Sequence, residues 1–140
     1  MIQTLGTGFT PRLIVVVGHP VSIQGDSKPK TRWKAKVAAE AARVFPSQLP
    51  DQDLVITITY YYDSKPRFDV DNICKPVCDA LNGIAYQDDK QLVERHARFK
   101  DLSGAFRIKG VALEIATAIA DGSEFVSIEI TKLGSGIEVI

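Results

Sequence analysis

Residues 54–62, LVITITYYY, alternate between two faces. Over residues 54–59, one face carries only large aliphatic side chains, whereas the other carries a valine and two threonines. An alternation with period two predicts a β-strand, and the choice of face fixes which side of a sheet is buried. The aliphatic face holds Leu54, Ile56 and Ile58, and the other face holds Val55, Thr57 and Thr59. The chain must therefore build a sheet whose apolar face is covered by something else.

Helical periodicity elsewhere supplies that cover. Thr31 is expected to cap a helix that runs to about Phe45, with Trp33, Val37, Ala41 and Val44 on its buried face. A second helix is predicted from Asp71 to about Leu81. A third is indicated by helical spacing within 108–120, at Ile108, Val111, Ala112, Ile115 and Ile119, although Gly110 weakens that pattern.

Further strands are predicted at 12–17, 91–99 and 124–130, with antiparallel pairing favoured among the later ones. The tail from 134 to 140 is assigned no element. A length of 140 residues suits one domain, 1–140, and is too short for two comfortable ones. We therefore expect an α+β fold, with a mixed sheet of about four strands and two or three packed helices.

The sequence predicts no targeting signal. No apolar run reaches the roughly 18 residues that suggest a membrane span. The N-terminus lacks the basic region of a signal peptide, so we expect a cytoplasmic protein. Cys74 and Cys78 lie four residues apart on a predicted helix, and zinc would need two more ligands nearby. Packing beneath the helix is the favoured interpretation of these cysteines.

Charge is unevenly distributed although the formal net charge is zero. Residues 12–43 hold seven basic and two acidic side chains, whereas eight acidic side chains lie between 63 and 101. One interpretation of the basic segment is a patch that binds DNA phosphates, and the other is a solvated loop and helix start. The candidate DNA-binding residues of this basic segment are Lys28, Lys30, Arg32, Lys34 and Lys36.

Two pairs of aspartates stand out in the acidic part of the chain. Asp69 and Asp71 flank one residue, so both carboxylates are expected at the start of the helix that Asp71 caps. Lys75 follows one turn later. A helix of about ten residues is about 15 Å long, so the following loop must double back along it to bring Asp88 and Asp89 to the same end.

Convergent carboxylates cannot all stay ionised without a cation. Oxygen ligands alone select a hard ion such as Mg²⁺, which supports phosphoryl chemistry, and a neighbouring lysine adds positive charge for a developing oxyanion. An EF-hand does not fit, because Ile73 and Cys74 occupy positions that need Asp or Asn and then Gly. From the D-x-D pattern alone, an ordinary helix cap with turn aspartates remains the competing interpretation.

A longer pattern, DVDNICKPVCDALNGIAYQDDKQLV, closely resembles the signature of the RusA family of Holliday junction resolvases. The shared frame is D-x-D-N-x-x-K-x-x-x-D-A-L, then a short turn, an aromatic residue, D-D, and Q with an aliphatic residue. In this chain its members are Asp69, Asp71, Asn72, Lys75, Asp79, Ala80, Leu81, Tyr86, Asp88, Asp89, Gln91 and Leu92. About 25 residues match firmly, while the N-terminal loop does not match closely.

The resemblance implies a dimeric endonuclease that uses Mg²⁺, with Mn²⁺ as a substitute, to cut four-way DNA junctions symmetrically. It implies that Asp69, Asp71 and Asp89 bind the metal, that Asp88 assists them, and that Lys75 is catalytic. Asn72 and Asp79 would support these residues. Residues 102–121 form a longer connection than expected between the last two strands and suggest an added helix.

The predicted function is therefore a structure-selective endodeoxyribonuclease in which metal-activated water attacks a backbone phosphate. The catalytic residues would be Asp69, Asp71, Lys75 and Asp89. The alternative is a protein of the same fold that binds branched nucleic acid without cutting it. Cleavage of a labelled four-way junction with and without Mg²⁺ separates the two hypotheses.

Overall fold

The apolar faces predicted from the sequence meet in one four-stranded sheet. The computed structural model describes residues 11–102 and 112–134. In these ranges the elements run in the order β1 (Arg12–Val17), α1 (Ser27–Val44), β2 (Leu54–Tyr62), a first 3₁₀ turn (Val70–Ile73), α2 (Cys74–Ala80), a second 3₁₀ turn (Asp89–Gln91), β3 (Leu92–Asp101), α3 (Leu113–Asp121) and β4 (Phe125–Lys132).

The sheet is mixed, with strand order β1-β4-β2-β3. Strand β4 lies between β1 and β2 and is antiparallel to both. Strand β3 pairs parallel with β2. Parallel pairing requires a long connection between the strands, and α2 forms part of it. An α+β fold with a four-stranded mixed sheet and three helices confirms the predicted fold class.

Helices α1 and α2 cover one face of the sheet and enclose the main core. Val37 of α1, Val77 of α2 and Ile58 of β2 are fully buried. Burial of one such side chain contributes roughly 1.5–3 kcal/mol, so the alternating faces supply much of the driving force for folding. The core fixes α2 against the sheet, and with it the residues that flank α2.

The opposite face of the sheet carries a smaller cluster beneath α3. The Tyr61 ring stacks on the Phe125 ring with 4.3 Å between centroids, and Ala118 of α3 is buried beside them. Helix α3 ends at Asp121, and Gly122 follows with φ of 77°, the left-handed conformation that commonly terminates a helix.

The predicted start of α1 was wrong by one turn. The helix begins at Ser27 rather than after Thr31, with Asp26 in an extended conformation before it. Pro29 is compatible with this earlier start, because a proline in the first turn of a helix removes a backbone donor that has no helical acceptor. Of its predicted buried face, Trp33, Val37 and Ala41 are buried and Val44 is half-buried.

The predicted helix from Asp71 is also corrected. A 3₁₀ turn comes first, with Asp69 at its N-cap position, and the α-helix starts at Cys74. Asp71 therefore lies inside the turn and does not cap a helix. Pro76 explains the division. A continuous α-helix from Asp71 would place Pro76 beyond the first turn, where the proline ring clashes with the carbonyl four residues earlier.

Strands 12–17 and 54–62 have the predicted bounds, and the others shift by one or two residues. An added helix within 102–121 is confirmed as α3, whereas Ile108, Val111 and nearly all of the 134–140 tail lie outside the described residues. Within the described ranges, no helix is both long and apolar enough to cross a membrane.

Candidate active site

The first 3₁₀ turn presents the first aspartate pair to solvent. Asp69 has an extended backbone, and its carbonyl accepts a hydrogen bond from the Asn72 N–H at 3.0 Å. Just before it, the Phe68 ring packs edge-on against Phe99 of β3, with 6.1 Å between centroids. Ile73 at the end of the turn is fully buried. The turn is therefore fixed at both ends, while the side chains of Asp69 and Asp71 stay exposed.

The chain then doubles back along α2, as the sequence required. Gly83 adopts φ of 80°, and its N–H donates to the Tyr86 carbonyl at 2.8 Å. The fully buried Tyr86 donates its O–H to the Cys78 carbonyl at 2.8 Å. The aromatic residue of the motif therefore ties the returning loop to the helix and directs the second aspartate pair back towards Lys75.

Gln91 fixes the segment that carries this second pair. Its buried side-chain amide donates to the carbonyls of Pro50 and Gln52 at 3.1 and 3.2 Å. The Asp88 carboxylate is exposed and accepts the Lys90 N–H at 2.9 Å, which lowers the pKa of Asp88. Asp88 thus caps the second 3₁₀ turn, and its assistance to a metal stays a prediction.

Lys75 contacts one carboxylate of its own helix and one of the returning loop. Its Nζ lies 2.8 Å from Asp79 Oδ1 and 3.8 Å from Asp89 Oδ2. The hydrogen bond to Asp79, followed by the negative charges of Asp79 and Asp89, raises the pKa of Lys75. Lys75 is therefore a protonated cation at neutral pH, half exposed and able to meet a phosphate oxygen.

Arg95 contacts Asp89 and was not among the residues predicted for the site. Its Nη2 donates to the Asp89 carbonyl at 3.1 Å and lies 4.0 Å from Asp89 Oδ2. Pairing of Ile56 with Arg95 places the arginine on the sheet face that α2 covers. Strand alternation could have indicated this position, because it places Arg95 on the same inward face of β3 as Ala97 and Phe99.

The donor set fits a hard cation, although the described residues do not form a complete cluster. No group of three His, Cys, Asp or Glu side chains in the described ranges is placed to hold a metal. The candidates Asp69, Asp71 and Asp89 offer carboxylate oxygens, the ligands that Mg²⁺ prefers. Burial raises the pKa of Cys74 and raises that of Cys78 to about 12, so neither thiol is a thiolate at neutral pH.

The basic segment lies beside the first aspartate pair. Lys30 donates through Nζ to the Ile23 carbonyl at 2.7 Å, and the Ile23 N–H donates to the Asn72 carbonyl at 3.1 Å. These bonds join the start of α1 to the 3₁₀ turn that contains Asp71. Lys30 is thereby occupied by a structural contact.

The other basic residues divide between two helix faces. Lys28, Arg32 and Lys36 follow one another at i, i+4 spacing and are exposed, whereas Lys34 is half-buried. An exposed stripe of three cations therefore runs along α1 from the end nearest the acidic turn.

Comparison with known proteins finds a family match. A family model described as endodeoxyribonuclease RusA matches residues 21–115, which is more than half of the chain. The matched span contains both aspartate pairs, Lys75 and the five candidate DNA-binding residues of the basic segment. Among curated proteins, none matches the chain.

Proposed function

Because the chain belongs to the RusA family of endodeoxyribonucleases, which resolve Holliday junctions, we propose that it cuts four-way DNA junctions by a divalent-metal reaction at Asp69, Asp71 and Asp89. The family match favours this nuclease over the alternative of a protein that only binds branched nucleic acid. Metal dependence, the roles of individual residues and a two-fold dimer are parts of this proposal.

One observation carries the assignment of the site. The Lys75 ammonium lies 3.8 Å from the Asp89 carboxylate, although the two residues belong to different halves of the motif. Asp71 precedes Lys75 by four residues in the adjoining turn. The contact supports a common site because chemistry on one phosphate needs these groups within a few ångströms of each other.

Mg²⁺ is the proposed metal, with Mn²⁺ as a substitute and the three aspartates as its ligands. When bound, the metal would lower the pKa of a water molecule and stabilise charge on the phosphate oxygens. The protein's own contribution is a set of carboxylates attached to rigid elements. Two of them are carried by the turn packed on β3, and Asp89 is fixed by the contacts of Tyr86, Gln91 and Arg95.

Lys75 is assigned to the charge that develops on phosphate. Hydrolysis joins a water oxygen to phosphorus and breaks the bond to the leaving sugar oxygen, which gains negative charge. A protonated lysine stabilises that charge or the charge on a non-bridging oxygen. Because its pKa is raised, Lys75 is suited to act as a cation and is unsuited to act as a general base at neutral pH.

The exposed cations of α1 are proposed to bind the DNA backbone. Lys28, Arg32 and Lys36 lie on an exposed stripe whose start is hydrogen-bonded, through Lys30 and Ile23, to the acidic turn. Phosphates held there would place the neighbouring backbone close to the carboxylates. A two-fold dimer would present two such sites to the two symmetry-related strands of a junction.

Incubation of the protein with a labelled four-way junction tests the proposal. We expect paired cuts in Mg²⁺ and none in a chelator, with a linear duplex of the same sequence left uncut. The Asp71→Asn variant should bind the junction without cutting it. If folded protein binds the junction but cuts it in neither Mg²⁺ nor Mn²⁺, the result would support the alternative of a protein that only binds branched nucleic acid.

A further inference from the structure

A buried carboxylate lies outside the candidate site. Glu124 precedes β4 and is only 9% exposed. Its carbonyl accepts the Gly18 N–H at 2.8 Å, so its backbone also joins the ends of β1 and β4. A buried carboxylate is costly unless hydrogen-bond donors surround it, and its partners therefore indicate what it is retained for.

Four donors from three parts of the chain converge on Glu124. Oε1 accepts the Tyr60 O–H at 3.0 Å and also contacts His19 Nδ1. Oε2 accepts the backbone N–H groups of Asp63 and Ser64 at 2.5 and 3.3 Å. One oxygen thus contacts side chains and the other holds the first two residues of the loop that follows β2.

Glu124 is ionised at neutral pH despite its burial. Burial alone would raise the pKa of Glu124, but the hydrogen bonds from Asp63, Tyr60 and Ser64, together with the charge of His19, lower it below its ordinary value. The carboxylate therefore offers charge-assisted acceptors to the loop amides, which are stronger than bonds to a neutral oxygen.

The loop held in this way leads directly to the candidate site. Residues 63–68 connect β2 to Asp69, and their far end is fixed where Phe68 packs on Phe99. Between these points lies a cleft of about 340 Å³ bordered by His19, Tyr60, Pro66, Phe68 and Glu124. In the described part of the chain, the Leu102 N–H donates to the Tyr62 carbonyl just before the loop, and the two bonds to Glu124 hold the first residues of the loop itself.

We propose that Glu124 is a positioning residue for the nuclease reaction, which holds the 63–68 loop at Asp63 and Ser64 and thereby orients Asp69. This inference rests on the proposed function of Asp69. A displaced carboxylate would slow the chemical step without removing any of the cations that bind DNA, so the expected effect is on kcat and not on junction affinity.

Two substitutions separate the loop restraint from the rest of the cluster. Glu124→Met removes all four acceptor contacts while filling a similar volume, and the open cleft lets water reach the freed donors. Glu124→Gln can keep its oxygen towards the loop amides and turn its NH₂ towards Tyr60 and His19, both of which are able to accept. Glu129→Met, at an exposed position of β4, is the matched control.

Three quantities are measured for each variant: junction Kd without metal, single-turnover kcat in Mg²⁺, and amide exchange of residues 63–68. Glu124→Met should keep Kd within two-fold, lose about 10- to 100-fold in kcat, and exchange faster in the loop. Glu124→Gln should stay within about three-fold of the wild-type kcat and retain slow exchange at Asp63 and Ser64, as should Glu129→Met.

Three results would overturn the inference. The first is a folded Glu124→Met protein with near-normal kcat, and the second is a loss of kcat in Glu124→Met without faster exchange in the loop. The third is an equal loss of kcat in the Glu129→Met control. If Glu124→Met does not fold, exchange in the wild-type protein decides, since unprotected amides at Asp63 and Ser64 would mean that no restraint exists. Should Asp69→Asn leave cleavage intact, the proposed function fails first. If only Glu124→Met does so, this inference alone fails.

Discussion

The charge on Lys75 is balanced by carboxylates from two segments, Asp79 in its own helix and Asp89 in the returning loop. We expect Lys75→Ala to lower kcat by about 100- to 1,000-fold, because a charge aimed at the developing oxyanion is lost. Junction Kd should change only a few-fold. Single-turnover kinetics and gel-shift titration measure both quantities, with Lys132→Ala, at the far end of β4, as control. A uniform loss of affinity with normal turnover would instead assign Lys75 to DNA backbone binding.

Asp71 lies exposed in the first 3₁₀ turn, where its charge faces any approaching phosphate. Asp71→Asn should reduce cleavage at least about 100-fold, because an amide is a poor substitute for a metal-binding carboxylate. Junction binding should persist or tighten as repulsion from phosphate is removed. Cleavage and binding are measured on the same labelled junction. Cleavage within a few-fold of wild type would show that Asp71 has no essential role.

Arg95 holds the backbone of Asp89 through the 3.1 Å hydrogen bond to its carbonyl. We expect Arg95→Gln to lower kcat by about ten-fold, since a shorter side chain cannot keep Asp89 in place. Arg98→Gln is the matched control, because Arg98 Nε donates to Thr59 Oγ1 on the opposite face of the sheet. Equal effects of the two substitutions would contradict a specific role for Arg95.

At this scale the sequence predicted the groups that belong to a local pattern. Lys75 and the aspartate pairs stand at recognisable spacings, and the contact between Lys75 and Asp89 supports their common site. Glu124 was missed because its partners at Tyr60 and Asp63 are about sixty positions away. No local spacing predicts such a contact. Arg95 was overlooked for a different reason, since a charge within an edge strand is ordinarily solvated.

Among the elements, α1 connects the basic and acidic parts of the molecule. If Arg32 binds one phosphate, Arg32→Gln should reduce the slope of log K against log salt concentration by about 0.9. Arg43→Gln removes the same charge from the other end of α1, where the arginine is exposed, and should leave the slope unchanged. Titrations over a range of salt concentrations measure this, and identical slopes for Arg32→Gln and wild type would remove Arg32 from the DNA-binding surface.

The loop restraint also predicts a dependence of stability on pH. Because the pKa of Glu124 is lower when folded than its ordinary value of 4.5, the unfolded chain binds more protons just below pH 4.5. The carboxylate therefore stabilises the fold above that pH, and the contribution is lost as pH falls through the lowered pKa. Urea unfolding of wild type and Glu124→Gln is measured between about pH 3 and 6. The difference between their free energies of unfolding should grow with pH and then level off. A difference that does not change with pH would contradict this.

Element boundaries were predictable where periodicity alone decided them, as in β1 and β2. They were less predictable where proline intervened. Pro29 was compatible with an earlier helix start, and Pro76 divided a predicted helix into a 3₁₀ turn and α2. Proline has no backbone N–H and is tolerated only in the first turn of a helix, so in both cases the position of the proline determined where the helix begins.

For the whole molecule, alternation and helical spacing were enough to predict an α+β fold with about four strands. They did not predict the order β1-β4-β2-β3 or the parallel pairing of β3 with β2. Strand order depends on which apolar faces meet across the core, and the spacing of apolar residues along the sequence carries no such information. The order bears on the proposed site because it places Arg95 of β3 in contact with Asp89.

The most direct test is to locate the metal. In crystals of the protein soaked with Mn²⁺, we predict an anomalous scattering peak at roughly 2.0–2.3 Å from carboxylate oxygens of Asp69, Asp71 and Asp89, with Lys75 released from Asp89. Crystals of Asp71→Asn should lose the peak or show it much weakened. Occupied Mn²⁺ sites elsewhere, or none at a concentration that supports junction cleavage, would contradict the proposed active site.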